Sequence, residues 1–230
     1  MGSMMVLAGA VLALAALQAS AAQFSFESTE AVPSSSFNYD STTGILTSVT
    51  DVPLTIRISG INTTMDSKLE FAAMRVSVQA IGGMEVWGFD GGFQFKTLGG
   101  VLILSAQFTN GMTLTMTGTP LSGIQASSTA PSTLDYTPGA KFKEIAGSVL
   151  GFDSNDPNII LDLVDPQSMG FTLTGVLPVV SPVGFDADSS FSGNADIAVT
   201  VVPEPATMAM LGLGALMMVR RKVARSQRAV

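Results

Sequence analysis

Apolar and polar residues alternate along most of this chain with a period of two, in short runs broken by Gly, Pro, Asn, Asp and Ser. Leu54-Thr55-Ile56-Arg57-Ile58-Ser59 is the cleanest such run and predicts a half-buried strand. Phe37–Tyr39 and Gly44–Val49 flank Asp40-Ser41-Thr42-Thr43, which predicts a hairpin loop. Met84–Phe89, Phe93–Leu98, Ile159–Leu163, Gly170–Thr174 and Ala195–Val202 are further strands of the same kind. Lys68–Ala80 fits two readings, because Leu69, Ala72, Ala73, Val76 and Ala80 suit a helix while Arg75–Gln79 alternates as a strand. Asn110-Gly111, between Val101–Thr109 and Met112–Thr119, carries the dipeptide of a two-residue type I′ turn and predicts a hairpin. Asp156-Pro157, Asp165-Pro166 and the Pro178/Pro182 pair read as loops or edges. The sum is an all-β body, expected as an antiparallel β-sandwich of jelly-roll or Ig-like type. No internal repeat points to a propeller or a solenoid.

The two ends break this pattern. Val6–Leu17 is an unbroken apolar run of about 12 residues, short for a membrane span and suited to a signal peptide. Ala19 and Ala21 supply the small residues of a signal-peptidase site, with Ser20 and Ala22 one residue later as the competing choice. Met1–Met5 lacks the Lys or Arg usual ahead of such a run. At the other end, Val202-Pro203-Glu204-Pro205 precedes the apolar run Ala206–Val219, and Arg220-Arg221-Lys222 follows it. The prolines exclude helix and strand and leave a stiff, extended peptide. Fourteen helical residues rise about 21 Å against a hydrocarbon core of about 30 Å, so the flanking arginines must snorkel for the run to span. The expected organisation is a signal peptide over 1–22, a β body over 23–201 and a sorting tail over 202–230, with a helix at each end.

That tail resembles the PEP-CTERM sorting signal, a module also known as an ice-binding protein C-terminal domain. Val202, Pro203, Glu204, Pro205, the Ala/Leu/Gly/Met run and the basic stop carry the resemblance, which covers about 25 residues and none of the body. It implies recognition by an exosortase, a membrane transpeptidase-like enzyme, with cutting near Pro-Glu-Pro. It also implies a precursor anchored in the inner membrane and a final place at the cell surface or in the exopolysaccharide matrix.

Charge supports the division. Residues 23–202 hold 17 Asp and Glu against 6 Lys and Arg, a formal −11, while the tail from Pro203 sets Glu204 against five basic residues, a formal +4. So acidic a body repels phosphate backbones, which argues against nucleic acid as a partner. The basic cluster beside an apolar run reads as a stop signal on the cytoplasmic side. The sequence contains neither Cys nor His, which excludes disulfides, a Ser-His-Asp triad and imidazole metal sites.

Three patterns in the body invite chemistry. Thr113, Thr115, Thr117 and Thr119 repeat at period two, as in a threonine ladder that binds ice. A hairpin at Asn110-Gly111 would set Phe108, Ala106 and Leu104 beside them, so β-propensity explains the pattern better. Asp153-Ser154-Asn155-Asp156, Asp162, Asp165 and Asp186-Ala187-Asp188 offer oxygen ligands for a structural calcium, the one cofactor entertained. Pro157 and Phe191 depart from the EF-hand pattern there, and turn chemistry accounts for the same residues. Paired carboxylates for a glycosidase occur in any acidic chain and discriminate nothing. Carbohydrate recognition would want exposed aromatic platforms, and Trp87, Tyr39 and Tyr136 are the only Trp and Tyr, with Trp87 expected in the core. The first expectation is therefore a non-enzymatic surface or matrix protein, with a carbohydrate-binding or carbohydrate-active module of the exopolysaccharide as the alternative. Signal peptidase, an exosortase and the membrane are the expected partners.

Overall fold

The computed structural model describes residues 22–28, 37–81, 84–116, 119–120, 125–127, 132–180, 183–202 and 214. The predicted signal helix with Ala19 and Ala21, and the tail from Pro203 apart from Gly214, lie outside them. Two units are distinguished. One comprises residues 18–155 and 161–199, the other 1–17, 156–160 and 200–230.

The described elements are strands β1 (Ala22–Ser28), β2 (Phe37–Asp40), β3 (Ile45–Ile58), β4 (Ile61–Ile81), β5 (Met84–Thr97), β6 (Leu102–Met116), β7 (Thr119–Pro120), β8 (Gln125–Ser127), β9 (Thr133–Pro138), β10 (Ile159–Val180) and β11 (Val183–Val201), with helix α1 (Ala140–Leu150) between β9 and β10. All belong to one sheet, ordered β1-β11-β10-β8-β6-β5-β4-β3-β2. The sheet nearly closes on itself, because β1 pairs β11 on one edge and β3 on the other. β2 continues in the slot of β1. It pairs Ile45–Thr47 of β3 and Gly184–Ala187 of β11, while β1 pairs Leu54–Ile58 and Phe191–Ile197. Every ladder described is antiparallel, so neighbouring positions run up and down in chain order.

This corrects the expected sandwich. Two facing sheets require the chain to cross between them, whereas here one path of strands runs around a single sheet, with β7 and β9 paired to β6 beside it, until the last strand meets the first. Several strands are also longer than the punctuation suggests. Met84–Phe89 and Phe93–Leu98 merge across Gly91-Gly92 into β5, and Ile159–Leu163 and Gly170–Thr174 merge into β10. Asp165-Pro166, expected as a loop or an edge, lies inside β10 with a cis peptide bond. Lys68–Ala80 resolves as strand within β4, since Leu69, Phe71 and Ala73 face inward beside Phe95, Phe93 and Gly91.

The Asn110-Gly111 hairpin is likewise overturned. β6 runs straight through the dipeptide, with Phe89 opposite Gly111 and Gly91 opposite Phe108. A type I′ turn needs left-handed backbone at both residues, and here only Asn110 has it, at φ 52°. Asn110 instead belongs to a β-bulge, with Thr109 and Asn110 together against Asp90. Thr113 and Thr115 consequently pair with Trp87 and Glu85, not with the Phe108 side of their own strand. The Asp40–Gly44 turn, in contrast, forms where expected, with Gly44 N–H on Asp40 O at 2.8 Å and Thr42 N–H on Asp40 Oδ1 at 2.8 Å.

Alternation places the apolar faces inside. In β3, Leu46, Ser48, Val52, Leu54, Ile56 and Ile58 are buried, while Thr47, Val49, Asp51 and Arg57 are exposed. The interior is strongly aromatic. Phe26 lies 5.6 Å from Phe95, Phe93 5.6 Å from Phe191, and Phe37 5.3 Å from Phe71, between ring centroids. Each buried aromatic of this size contributes on the order of 2–3 kcal/mol by leaving water. Helix α1 adds Phe142, Ile145 and Ala146, spaced for one face, and Phe142 meets Phe24 edge-on at 4.9 Å. The helix ends at Gly151, left-handed at φ 80°, whose N–H returns to Gly147 O.

Two buried polar links complete the unit. No backbone ladder joins β9 to β10 among the described residues. There the Gln167 side chain bridges them, accepting from Tyr136 N–H at 2.8 Å and donating to Leu163 O at 3.0 Å, while Tyr136 Oη donates to Ser168 O at 2.7 Å. Between β1 and β11, Ser28 Oγ accepts from Phe191 N–H at 2.8 Å and faces Phe191 O at 3.4 Å.

In the smaller unit, Asp156 organises a turn, with Asn158 N–H on its Oδ1 at 2.8 Å and Ile159 N–H on its O at 3.2 Å. Val202 N–H donates to Asn158 O at 2.7 Å. No helix among the described residues is long and apolar enough to cross a membrane.

Candidate functional site

The candidate sorting site begins where the last strand ends. β11 runs unbroken to Val201, and Val202, the first residue of the predicted motif, is bound by its N–H to Asn158. Val201 and Val202 are 56% and 43% exposed, so the chain reaches Pro203 with its side chains already in solvent. Pro203, Glu204, Pro205 and the basic stop Arg220, Arg221, Lys222 lie outside the described residues. At the other terminus, β1 starts at Ala22, directly after the predicted cleavage residues.

Two of the acidic residues hydrogen-bond the backbone. Asp153 Oδ1 accepts from Asn155 N–H at 2.9 Å, and Asp162 Oδ1 from Leu163 N–H at 2.9 Å. Asp186, expected in a loop, stands in β11 opposite Asn38. No group of three or more Asp and Glu that could hold a metal ion occurs among the described residues. The carboxyls of Asp40 and Glu70 are both shifted downward. Thr42 and Thr43 hydrogen-bond the Asp40 carboxylate, and Lys96 Nζ lies 2.7 Å from Glu70 Oε2. Hydrogen bonds to the charged form are the cause in each case.

The aromatic residues that could have formed a sugar platform are interior. Trp87, Tyr39 and Tyr136 are all buried, and burial pushes the phenols of Tyr39 and Tyr136 upward. Arg75 closes over this group, its guanidinium 4.6 Å from the Trp87 ring and 5.8 Å from Tyr39, while Trp87 Nε1 donates to Glu85 Oε2 at 2.9 Å. A polar hollow on the outer wall, about 630 Å3, is lined by Gln23, Ser25, Arg57, Ser59, Asn194 and Asp196 among others. Arg57 Nε donates to Asn62 Oδ1 at 2.8 Å. Sequence reasoning missed this hollow because its residues come from β1, the end of β3 with its turn, Pro166 of β10, and β11, which only closure of the sheet assembles.

Comparison with known families assigns the tail. Residues 201–222 match the PEP-CTERM protein-sorting motif. The match starts at Val201, inside β11, so the sorting signal and the fold share a residue. The motif implies processing by an exosortase of an exported, membrane-anchored precursor. No curated protein and no solved structure matches the chain.

Proposed function

We propose that this is a non-enzymatic protein of the bacterial cell surface or extracellular matrix, exported by an N-terminal signal peptide and sorted by an exosortase. The observation that carries this reading is the sorting motif at residues 201–222, set without a linker at the end of the last strand of a folded body. Pro203 and Pro205 keep the backbone extended for an enzyme, Glu204 offers the one charge there, and the apolar run 206–219 with Arg220–Lys222 holds the peptide at the membrane–water boundary. Replacing Pro203-Glu204-Pro205 by three alanines lengthens the apolar run and preserves insertion. The expected result is an intact, membrane-bound species that accumulates, read by fractionation and by the mass of the C-terminus. Normal trimming and release of that variant would leave only a plain membrane anchor.

A second reading, a carbohydrate-binding module of the exopolysaccharide, draws on the polar hollow at Arg57 and Asp196. Its amides, hydroxyls and single ion of each sign suit a polyhydroxylated ligand, and Pro166 lends it an apolar ring. Retention of the full chain, but not of its Arg57→Ala variant, on a polysaccharide array would favour this reading.

A further inference from the structure

The sorting motif begins before the fold ends. Its match starts at residue 201, whereas β11 runs to Val201 and the N–H of Val202 donates to Asn158 O at 2.7 Å. Asp156 holds Asn158 for this contact. Its Oδ1 accepts from Asn158 N–H at 2.8 Å, and its O accepts from Ile159 N–H at 3.2 Å. Pro157 before Asn158 and Pro203 after Val202 have no N–H, so neither neighbour can carry the pairing further by donating. All these residues belong to the smaller unit.

An enzyme that cuts a peptide takes up a few residues ahead of the scissile bond in extended form, largely through their backbone. For either bond inside Pro203-Glu204-Pro205, Val202 is among the three residues immediately upstream. The downstream side gives no slack. The apolar run opens at Ala206, four residues after Val202, which is at most about 14 Å of extended chain. The fold and the enzyme therefore claim the same N–H, and it cannot serve both. The side chains of Val201 and Val202, 56% and 43% exposed, are already open to an approaching enzyme, so the backbone contact is what remains to be released.

On the exosortase reading of the tail, we infer that the Val202–Asn158 contact is a latch that must open before the tail is cut. Asp156 is its positioning residue, acting through Asn158. Pairing at the end of a strand is among the first parts of a fold to open, so the latch slows cutting without forbidding it. Opening at residues 156–160 and 200–202 suffices, and the sheet need not unfold.

The chain contains no cysteine, so one engineered disulfide can lock the latch. Cα atoms of a hydrogen-bonded antiparallel pair stand about 5.5 Å apart, within the range a disulfide spans. Full-length precursor carrying Asn158→Cys and Val202→Cys would be followed in isolated membranes of its own host, with trimming read from the mass of the C-terminus. The form oxidised with glutathione disulfide should be cut several-fold more slowly than the same variant after dithiothreitol. Asp156→Ala, which leaves the motif untouched, should be cut several-fold faster than wild type. Equal rates for the oxidised and reduced forms would overturn the latch, and so would an Asp156→Ala rate no faster than wild type. In both cases the cut tail leaves the exosortase reading standing. Should Val202→Cys alone block cutting, the Asp156→Ala rate decides. Wild-type precursor left uncut in these membranes would remove the exosortase reading, and the latch with it.

Discussion

The backbone N–H of Asn110 donates to Oδ1 of Asp90 at 2.8 Å across the bulge between β6 and β5. The carboxylate fills the gap left where two residues of one strand meet one of the other. Asp90→Ala should therefore lower stability by about 1 kcal/mol, the usual net worth of such a bond. A Cm unchanged from wild type in urea unfolding would show the bulge to be held by other contacts.

Gln167 is buried and touches both strands that lack a backbone ladder. Gln167→Leu would leave Tyr136 N–H and Leu163 O without their partner, at a cost of about 2–4 kcal/mol. Tyr136→Phe removes only the bond to Ser168 O and should cost about 1–2 kcal/mol. Denaturant titration of the two variants should rank them in that order.

Gly193 faces the aromatic interior so closely that a Cβ would meet Tyr136 Oη and the Phe26 ring. Gly193→Ala should destabilise by about 1–3 kcal/mol through overpacking, with a matching fall in Tm. Ser48 gives the opposite expectation. Its buried Oγ has no hydrogen-bond partner among the described residues, so Ser48→Ala should be neutral or stabilising by up to about 1 kcal/mol.

Glu70 is held below the ordinary carboxyl range by Lys96. A lowered folded value contributes stability above the unfolded one, and that contribution is lost as pH falls through the folded value. The difference in Tm between wild type and Glu70→Gln should thus be present near neutral pH and vanish in acid below the usual Glu value of about 4.3. A difference that persisted in acid would assign the effect to packing.

Neutralising Arg220, Arg221 and Lys222 should fail differently from the alanine replacement at Pro203-Glu204-Pro205. Without the basic stop, a run of 14 residues is too short to be retained, and the precursor should escape the membrane fraction uncut. Retention of that variant would transfer the anchoring role to the apolar run alone.

The strands and the tail were legible because both depend on local pattern. Leu54–Ile58 alternates, Asp40–Thr43 has turn chemistry, and Pro-Glu-Pro before an apolar run needs no tertiary context. The closure was not legible, since it depends on β1 meeting β11 and no periodicity encodes a partner so far along the chain. Asn110-Gly111 misled for a related reason. Its conformational preference is met, at Asn110, but a bulge uses that preference as readily as a turn. Helix α1 was missed because Ala140–Leu150 is short and Gly139 gives no side-chain cap, so its start carries no signal. The hollow around Arg57 had no signature in the sequence because four separate segments contribute to it.

The Ser28–Phe191 link joins residues 163 apart in sequence. A chain that leaves the membrane N-terminus first exposes β1 long before its closing partner exists. Any truncation ahead of β11 would leave two unpaired strand edges, on β1 and on β10, each a template for a second chain. The sorting signal lies beyond β11, so a molecule that carries it also carries the strand that removes those edges. Surveillance for completeness is thereby built into the order of the segments: only a chain able to shut its own sheet has a tail for the exosortase to cut.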